Sequence, residues 1–363
     1  ERWLGAVHRL VGADAVALVI GREITVVGDP SLSAAWDGPG SAARATRTTP
    51  VVAGSGRAIR DRLRGAPVDG VVAVARENRD GAPASYIPEL ATVDPEKTAA
   101  AILQVDGRSF AAGDVGHRFT LQSSAKLALL CGLLEERGPD AVFAVVGTEP
   151  TGGSFASVAE LEWRGPKPGN PLINAGAIAL CAQLGGDLEQ RLAWIEGWAE
   201  RLYGGKPTIN QRVQVSERRT GHRNRAIAHV LKGASMLSGP VDDVLEMYFA
   251  LCSLESTVVE AARLAAILAN GGIAPGGTRV LSAQTASTVV SLMATCGMYD
   301  ESGAHLARTG LPAKSGVSGV IVAVAPGRAT LTGRAGIASA TLAVQVIPGG
   351  LSRLEVDPGT SQA

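Results

Sequence analysis

The sequence predicts an α+β protein: an antiparallel sheet flanked by helices, with a largely helical stretch inserted between its first and last strands. Three observations predict it. A hairpin pattern covers residues 100–112, helical periods fill the middle of the chain, and strand character returns after Lys314. The composition is that of a folded chain, since 46% of the 363 residues are hydrophobic and 19% charged, which excludes extended disorder. At this length two or three units are expected.

Residues 1–66 differ from the rest of the chain. Trp3 to Val11 reads as a short helix, Ala15 to Ile20 and Ile24 to Val27 as strands, and Asp29 to Pro50 as a loop. Gly54 and Gly56 follow a short strand, but Ile59 stands where a dinucleotide loop needs its third glycine, so an ordinary strand-to-helix turn is expected. We read 1–66 as an N-terminal extension of unassigned role, a small sensor or regulatory module being one reading. Residues 67–345 form the main unit, and 346–363 a tail.

Within that unit, Ala100 to Val105 and Arg108 to Ala112 read as a hairpin around Asp106-Gly107, because Asp-Gly supplies the positive φ angles of a two-residue turn. Leu121 to Glu135 is helical, with Leu127, Leu130, Leu133 and Leu134 on one stripe. Asp187 to Tyr203 is a second amphipathic helix: Leu188, Leu192, Ile195, Ala199 and Leu202 face inward, and Gly204-Gly205 ends it. Trp194 and Trp198 flank that face as packing residues. Helical patterns continue over Val241 to Ser253 and Val258 to Asn270, so residues 127–270 are mostly helical. V-I-V-A-V-A-P and Leu342 to Ile347 supply the closing strands.

Charge and cysteine usage narrow the functional classes. Lys+Arg and Asp+Glu both number 34, so no basic stripe points to nucleic acid or an anionic membrane. No run approaches the ~18 apolar residues of a spanning helix, and a soluble protein is expected. Cys131, Cys181, Cys252 and Cys296 form no C-x-x-C pair, and the five histidines show no H-x-x-x-H spacing. Neither a metal site nor a disulfide framework is indicated, and a reducing cytoplasm fits best.

Only six of the 34 cations are lysine. Unlike arginine, a desolvated lysine can shed its proton and serve as a base. Lys126 stands three residues after Ser123 in L-Q-S-S-A-K, a spacing that puts hydroxyl and amine on one helix face. Chance gives about 0.4 such S-x-x-K matches in a chain of this composition. A later K-S-G, Lys314-Ser315-Gly316, opens the C-terminal strands, and chance gives the two together about 0.04 times. This order is the signature of serine β-lactamases and penicillin-binding proteins, in which the strand beside the nucleophile offers a backbone N–H to an oxyanion hole. In S-E-R-R-T-G-H-R-N, Glu217 and Asn224 lie two helical turns apart, with Gly221 a break that can aim both inward.

The chain resembles the L-glutaminases through many blocks in order: A-S-Y-I-P-E-L-A, R-F-T-L-Q-S-S-A-K, G-T-E-P-T-G-G-S-F, K-P-G-N-P-L-I-N-A-G-A-I, S-E-R-R-T-G-H-R-N, M-Y-F-A-L-C-S, L-A-N-G-G-I-A-P, C-G-M-Y-D-E-S-G and G-L-P-A-K-S-G-V. The resemblance implies a β-lactamase-like fold, no cofactor and no metal, a homo-oligomer, and hydrolysis of L-glutamine through a serine γ-glutamyl ester. It implies Ser123 as nucleophile, Lys126 as its base, and Tyr299 as the group assisting proton transfer to ammonia. The N–H groups of Ser123 and Val317 would form the oxyanion hole, and Tyr86, Asn174, Glu217, Asn224 and Tyr248 would hold the substrate beside Val317. Glu217 suits an α-ammonium, and the amide and phenol groups suit an α-carboxylate. Three departures stand out: Ser124-Ala125 inside the nucleophile block, Ala156 in place of Asn, and an unfamiliar sequence after Arg328. Two alternatives stay open at this point, an acyl-enzyme hydrolase of another amide or β-lactam, and a catalytically silent glutamine-binding or glutamate-binding protein.

Overall fold

The computed structural model describes residues 82–151, 157–158, 161, 165–205 and 207–325, together with Val72 and the strand Val16–Val19. The expected elements at Trp3–Val11, Ile24–Val27, the Gly54–Gly56 turn and Leu342–Ile347 lie outside the described residues, as do Ala156 and the tail.

Strand β1 (Val16–Val19) precedes a four-residue helix α1 (Pro88–Ala91), in which Pro88 occupies the first turn, where its missing N–H costs nothing. The hairpin follows as β2 (Ala99–Leu103) and β3 (Ser109–Gly113), with Leu103 opposite Ser109. Its loop is one residue longer than the expected two-residue turn. Gln104 N–H donates to Arg108 O and Gly107 N–H to Gln104 O, leaving Val105-Asp106-Gly107 as a three-residue loop. Gly107 alone takes the left-handed conformation (φ 90°) that such a loop requires, while Asp106 stays on the negative side and accepts from Arg108 N–H.

After β4 (Phe119–Thr120), a 3₁₀ turn (Gln122–Ala125) runs into helix α2 (Lys126–Val145). The expected leucine stripe is wider than predicted: every residue from Lys126 to Leu134 is buried, making the first half of α2 a central helix with no wet face. It continues past the expected end at Glu135 across a kink, where Gly138 is non-helical and Pro139 lacks a donor. Helices α3 (Asn174–Cys181) and α4 (Leu188–Tyr203) pack against it. A capping box between Asp187 and Gln190 starts α4, and Gly204 in the left-handed region ends it. Leu188, expected inward, is exposed because it opens the first turn, whereas Ile195, Ala199 and Leu202 are buried. Trp194 and Trp198 both donate from Nε1 to the Glu136 carboxylate, at 2.7 and 2.8 Å, and clamp α4 to α2.

Strand β5 (Thr208–Ile209) leads to helices α5 (Gln211–Thr220), α6 (His222–Gly233) and α7 (Val241–Cys252). Strand β6 (Leu254–Ser256) pairs antiparallel with both β4 and β5, a small sheet absent from the sequence reading. Helix α8 (Val258–Ala269), started by a capping box between Thr257 and Glu260, packs across β1 and β2. Helices α9 (Ala283–Cys296) and α10 (Ser302–Thr309) precede β7 (Ala313–Ser315) and β8 (Val320–Ala323). The main sheet has the order β3-β2-β1-β8-β7 and is antiparallel throughout. Its central strand β1 belongs to the segment 1–66: Ala17 lies opposite both Ala101 and Val322.

Candidate active site

The 3₁₀ turn places Ser123 at the mouth of α2 and Lys126 at its first residue. In a 3₁₀ turn residues three apart eclipse, so the hydroxyl and the amine share one side. The turn is held by Ser124, whose hydroxyl donates to Leu121 O at 2.6 Å. Gly316, at the end of β7, comes so close that an added Cβ would meet Leu121 O at 2.7 Å. Only glycine lets this strand end approach the turn, and the approach brings Val317 to the serine.

A cavity of about 490 Å³ opens above this contact, lined by Ser123, Tyr86, Asn174, Glu217, Asn224, Tyr248, Tyr299 and Val317 among others. Lys126 lies beneath it, fully buried. Nine residues singled out from the sequence therefore meet, although they come from separate elements. Glu217 ends up inside because α5 stops at Gly221 and α6 starts there. A Cβ at Gly221 would sit 2.6 Å from Glu217 O and 2.9 Å from the Phe249 ring. The tight corner turns both Glu217 and Asn224 inward, at 1% and 3% exposure.

Lys126 Nζ donates to Asn174 Oδ1 at 2.7 Å and to Leu172 O at 3.2 Å. Burial pushes its pKa down to about 8, against the opposing pull of groups that include the Glu217 carboxylate. The Tyr299 phenol is raised by burial, against a hydrogen bond with the Ser123 side chain. Tyr299 also holds a left-handed backbone conformation (φ 58°), which a tyrosine adopts only under constraint. At the other end, Tyr86 OH donates to Glu217 Oε2 at 2.5 Å. Burial raises the Glu217 pKa, while hydrogen bonds from Tyr86 and Gln122 work to lower it. The arrangement offers a hydroxyl beside a buried amine, and a buried carboxylate within the same enclosure.

The family model described as Glutaminase matches residues 81–338. The chain belongs to the glutaminase family. The glutaminase of Legionella pneumophila (strain Paris) is 48% identical over 261 residues, covering 71% of this chain and 84% of that relative. Glutaminase 2 of Clostridium perfringens is 41% identical over 249 residues, covering 68% and 82%. Among solved structures, the probable glutaminase ybaS aligns with a TM-score of 0.67 at 40% identity, covering 69% of this chain and 82% of that one. A covalent complex between the Bacillus subtilis glutaminase YbgJ and 5-oxo-L-norleucine aligns at 0.65 and 35% identity, covering 72% and 84%. The glutaminase fold is thus β-lactamase-like, as its antiparallel sheet and helical insertion indicate.

Two polar residues of this glutaminase site had no assigned role in the sequence reading. Gln122 lines the cavity and reaches Glu217, from a left-handed backbone position (φ 49°). Lys314, noted only as part of K-S-G, is fully buried, with its amine 4.1 Å from the Tyr299 ring centroid and donating to Ser315 O at 2.5 Å. Adjacency to the two motifs was the available signal for both. Cys252 also lines the cavity, and burial raises its thiol to about 12. All four cysteines are free and buried.

Proposed function

We propose that the chain carries out its family's reaction, hydrolysis of L-glutamine to L-glutamate and ammonia, through an ester on Ser123. Lys126, as the free amine, takes the Ser123 proton while Oγ attacks the γ-carbonyl carbon. The backbone N–H groups of Ser123 and Val317 receive the developing oxyanion. The C–N bond then breaks, Tyr299 hands a proton to the departing nitrogen, and ammonia leaves a γ-glutamyl ester. Water, deprotonated by the same base, cleaves the ester to glutamate and restores the serine.

Glu217 pairs with the α-ammonium, and Tyr86, Asn174, Asn224 and Tyr248 enclose the amino-acid end. The observation that carries this reading is the shared cavity: Ser123 and Tyr299 meet above a buried amine while a buried carboxylate faces the same space. A free amino acid needs that carboxylate and a β-lactam does not, which favours glutamine over the alternative acyl donors. The covalent adduct described for the Bacillus subtilis relative agrees with a nucleophile at the corresponding place.

The catalytic unit is assigned to 67–345 with its helical part over 127–270, residues 1–66 being an extension that lends it β1, and 346–363 a tail. No helix among the described residues is long and apolar enough to cross a membrane. A cytoplasmic location, with which free buried cysteines agree, and a homo-oligomeric state complete the reading. Light scattering of the full chain tests the last. Ammonia release from glutamine, asparagine and γ-glutamyl amides tests the reaction, and Ser123→Ala is expected to lose about 10⁴-fold or more in turnover. Ammonia release by Ser123→Ala at the wild-type rate would overturn the assigned nucleophile.

A further inference from the structure

Between the buried amine and the buried carboxylate runs an unbroken set of side-chain hydrogen bonds with one direction. Lys126 Nζ donates to Asn174 Oδ1 at 2.7 Å, and Asn174 Nδ2 donates to Asn224 Oδ1 at 2.9 Å. Asn224 Nδ2 donates to the Tyr86 hydroxyl oxygen at 3.4 Å, and Tyr86 OH donates to Glu217 Oε2 at 2.5 Å. Every donor points away from Lys126 and toward the carboxylate.

The direction matters for the amine. A neutral amine has two N–H bonds and one lone pair. Leu172 O and Asn174 Oδ1 take the two N–H bonds, so the lone pair is left for a third direction. Asn174 cannot flip without turning its own N–H groups on the amine's donors, and Asn224 Oδ1 holds it unflipped. The same amide therefore sets both where the lone pair points and which charge lies at the far end of the chain.

We propose that Asn174, Asn224 and Tyr86 form a positioning relay through which the α-ammonium of bound glutamine, by neutralising Glu217, frees Lys126 to act as base. The inference rests on the proposed function of this site. With the site empty, the anionic Glu217 sits at the end of aligned donors and favours the protonated, donating form of Lys126. An ammonium on Glu217 cancels that pull. The other groups facing Lys126 do not substitute for it. Cys181 of α3 and Cys252 and Tyr248 of α7 are kept neutral by burial, as is Tyr299. Lys314 of β7, equally desolvated, interacts with Lys126 as one cation with another. Glu217 is the one carboxylate among the groups acting on the amine, and Glu89 of α1 acts on Glu217 in turn. A molecule with the right amide and no ammonium then meets a base still carrying its proton, so recognition enters the chemical step as well as binding.

The test is the pH dependence of ammonia release from glutamine by the full chain, with kcat and kcat/KM followed separately. The limb rising with pH reports Lys126 in the complex for kcat and in the free enzyme for kcat/KM. The midpoint for kcat is expected about one pH unit below that for kcat/KM, a tenfold change in the proton equilibrium. Tyr86→Phe removes one hydroxyl from a half-exposed side chain and cuts the relay far from Lys126; it is expected to close at least half of the gap. A residue serving only to hold substrate would change KM and leave both midpoints in place. Coincident midpoints in the wild type overturn the proposal, as does a gap that Tyr86→Phe leaves whole. A wild-type chain releasing no ammonia from glutamine at any pH overturns the function instead.

Discussion

At one end of the cavity a lysine is fully buried with a backbone carbonyl and an amide oxygen as its hydrogen-bond acceptors; at the other a carboxylate, 1% exposed, receives donors from Tyr86 and Gln122. Burial opposes charge at both ends. At Lys126 nothing nearby compensates fully, and the amine is brought to about 8, where a useful fraction is free base near neutrality. At Glu217 the phenol and amide donors offset part of the penalty and keep a carboxylate available for an ammonium. Equal dryness thus yields a base in one place and an anion in the other, and the number of donors decides which.

The largest effect expected is at the lysine end. Lys126→Arg cannot shed its proton, and turnover of glutamine should fall about 10³-fold or more while the fold is retained. An Arg variant with a normal ammonia-release rate would place the base elsewhere. Wild-type activity should itself rise with pH through about 8, the value to which burial brings Lys126.

Lys126→Met separates function from stability. The lysine's pKa is lower in the folded chain (about 8) than the ordinary 10.5, so its burial penalty is absent above 10.5 and full below about 8. The variant should therefore gain on the wild type as pH falls from 10.5 to 8, by up to about 3 kcal/mol. Denaturant midpoints measured at both pH values check the sign. A difference that does not vary with pH would remove the buried, titrating amine from the account.

At the carboxylate end, Glu217→Gln should raise KM for glutamine about 100-fold, because a buried ammonium loses its counter-charge. The same change should hardly affect 4-carbamoylbutanoate, which has the amide and carboxylate without the amine. Equal losses on both substrates would mean that Glu217 serves the fold rather than recognition. The smallest effect is expected at Ser124→Ala, about 1 kcal/mol of stability from the lost bond to Leu121 O, seen as a shift in thermal midpoint. Leu121 O keeps the Ser124 backbone N–H as a partner, so the turn should survive.

What could be read from the chain depended on how locally it was encoded. Ser123 and Lys126 were legible because their spacing alone puts them on one side, and α4 was legible from its capping residues, its apolar period and its closing glycine. The hairpin was placed in register from Asp106-Gly107, but not its three-residue loop, because Asp106 can stay at negative φ when Gly107 alone takes the left-handed turn. Strands β4, β5 and β6 have two or three residues, too few for an alternation to register. Gln122 and Lys314 were named within motifs but drew no role, since their roles depend on partners far along the chain. The relay was wholly hidden: Asn174 is a plain residue in N-P-L-I-N-A-G until folding sets it between Lys126 and Asn224.

The central strand β1 has a consequence for how the molecule is made. Ala17 must find both Ala101 and Val322, so the sheet cannot be completed on the ribosome until residue 323 has emerged. Until then β2 waits with an unpaired edge, a surface that invites pairing with a neighbouring nascent chain. Shortening the segment before residue 20 would leave the β2-β3 and β7-β8 ribbons with a strand-wide gap between them, and the Gly316 corner that meets Ser123 rides on the second of these. Chemistry carried out at residue 123 is in this way tethered to backbone laid down a hundred residues earlier.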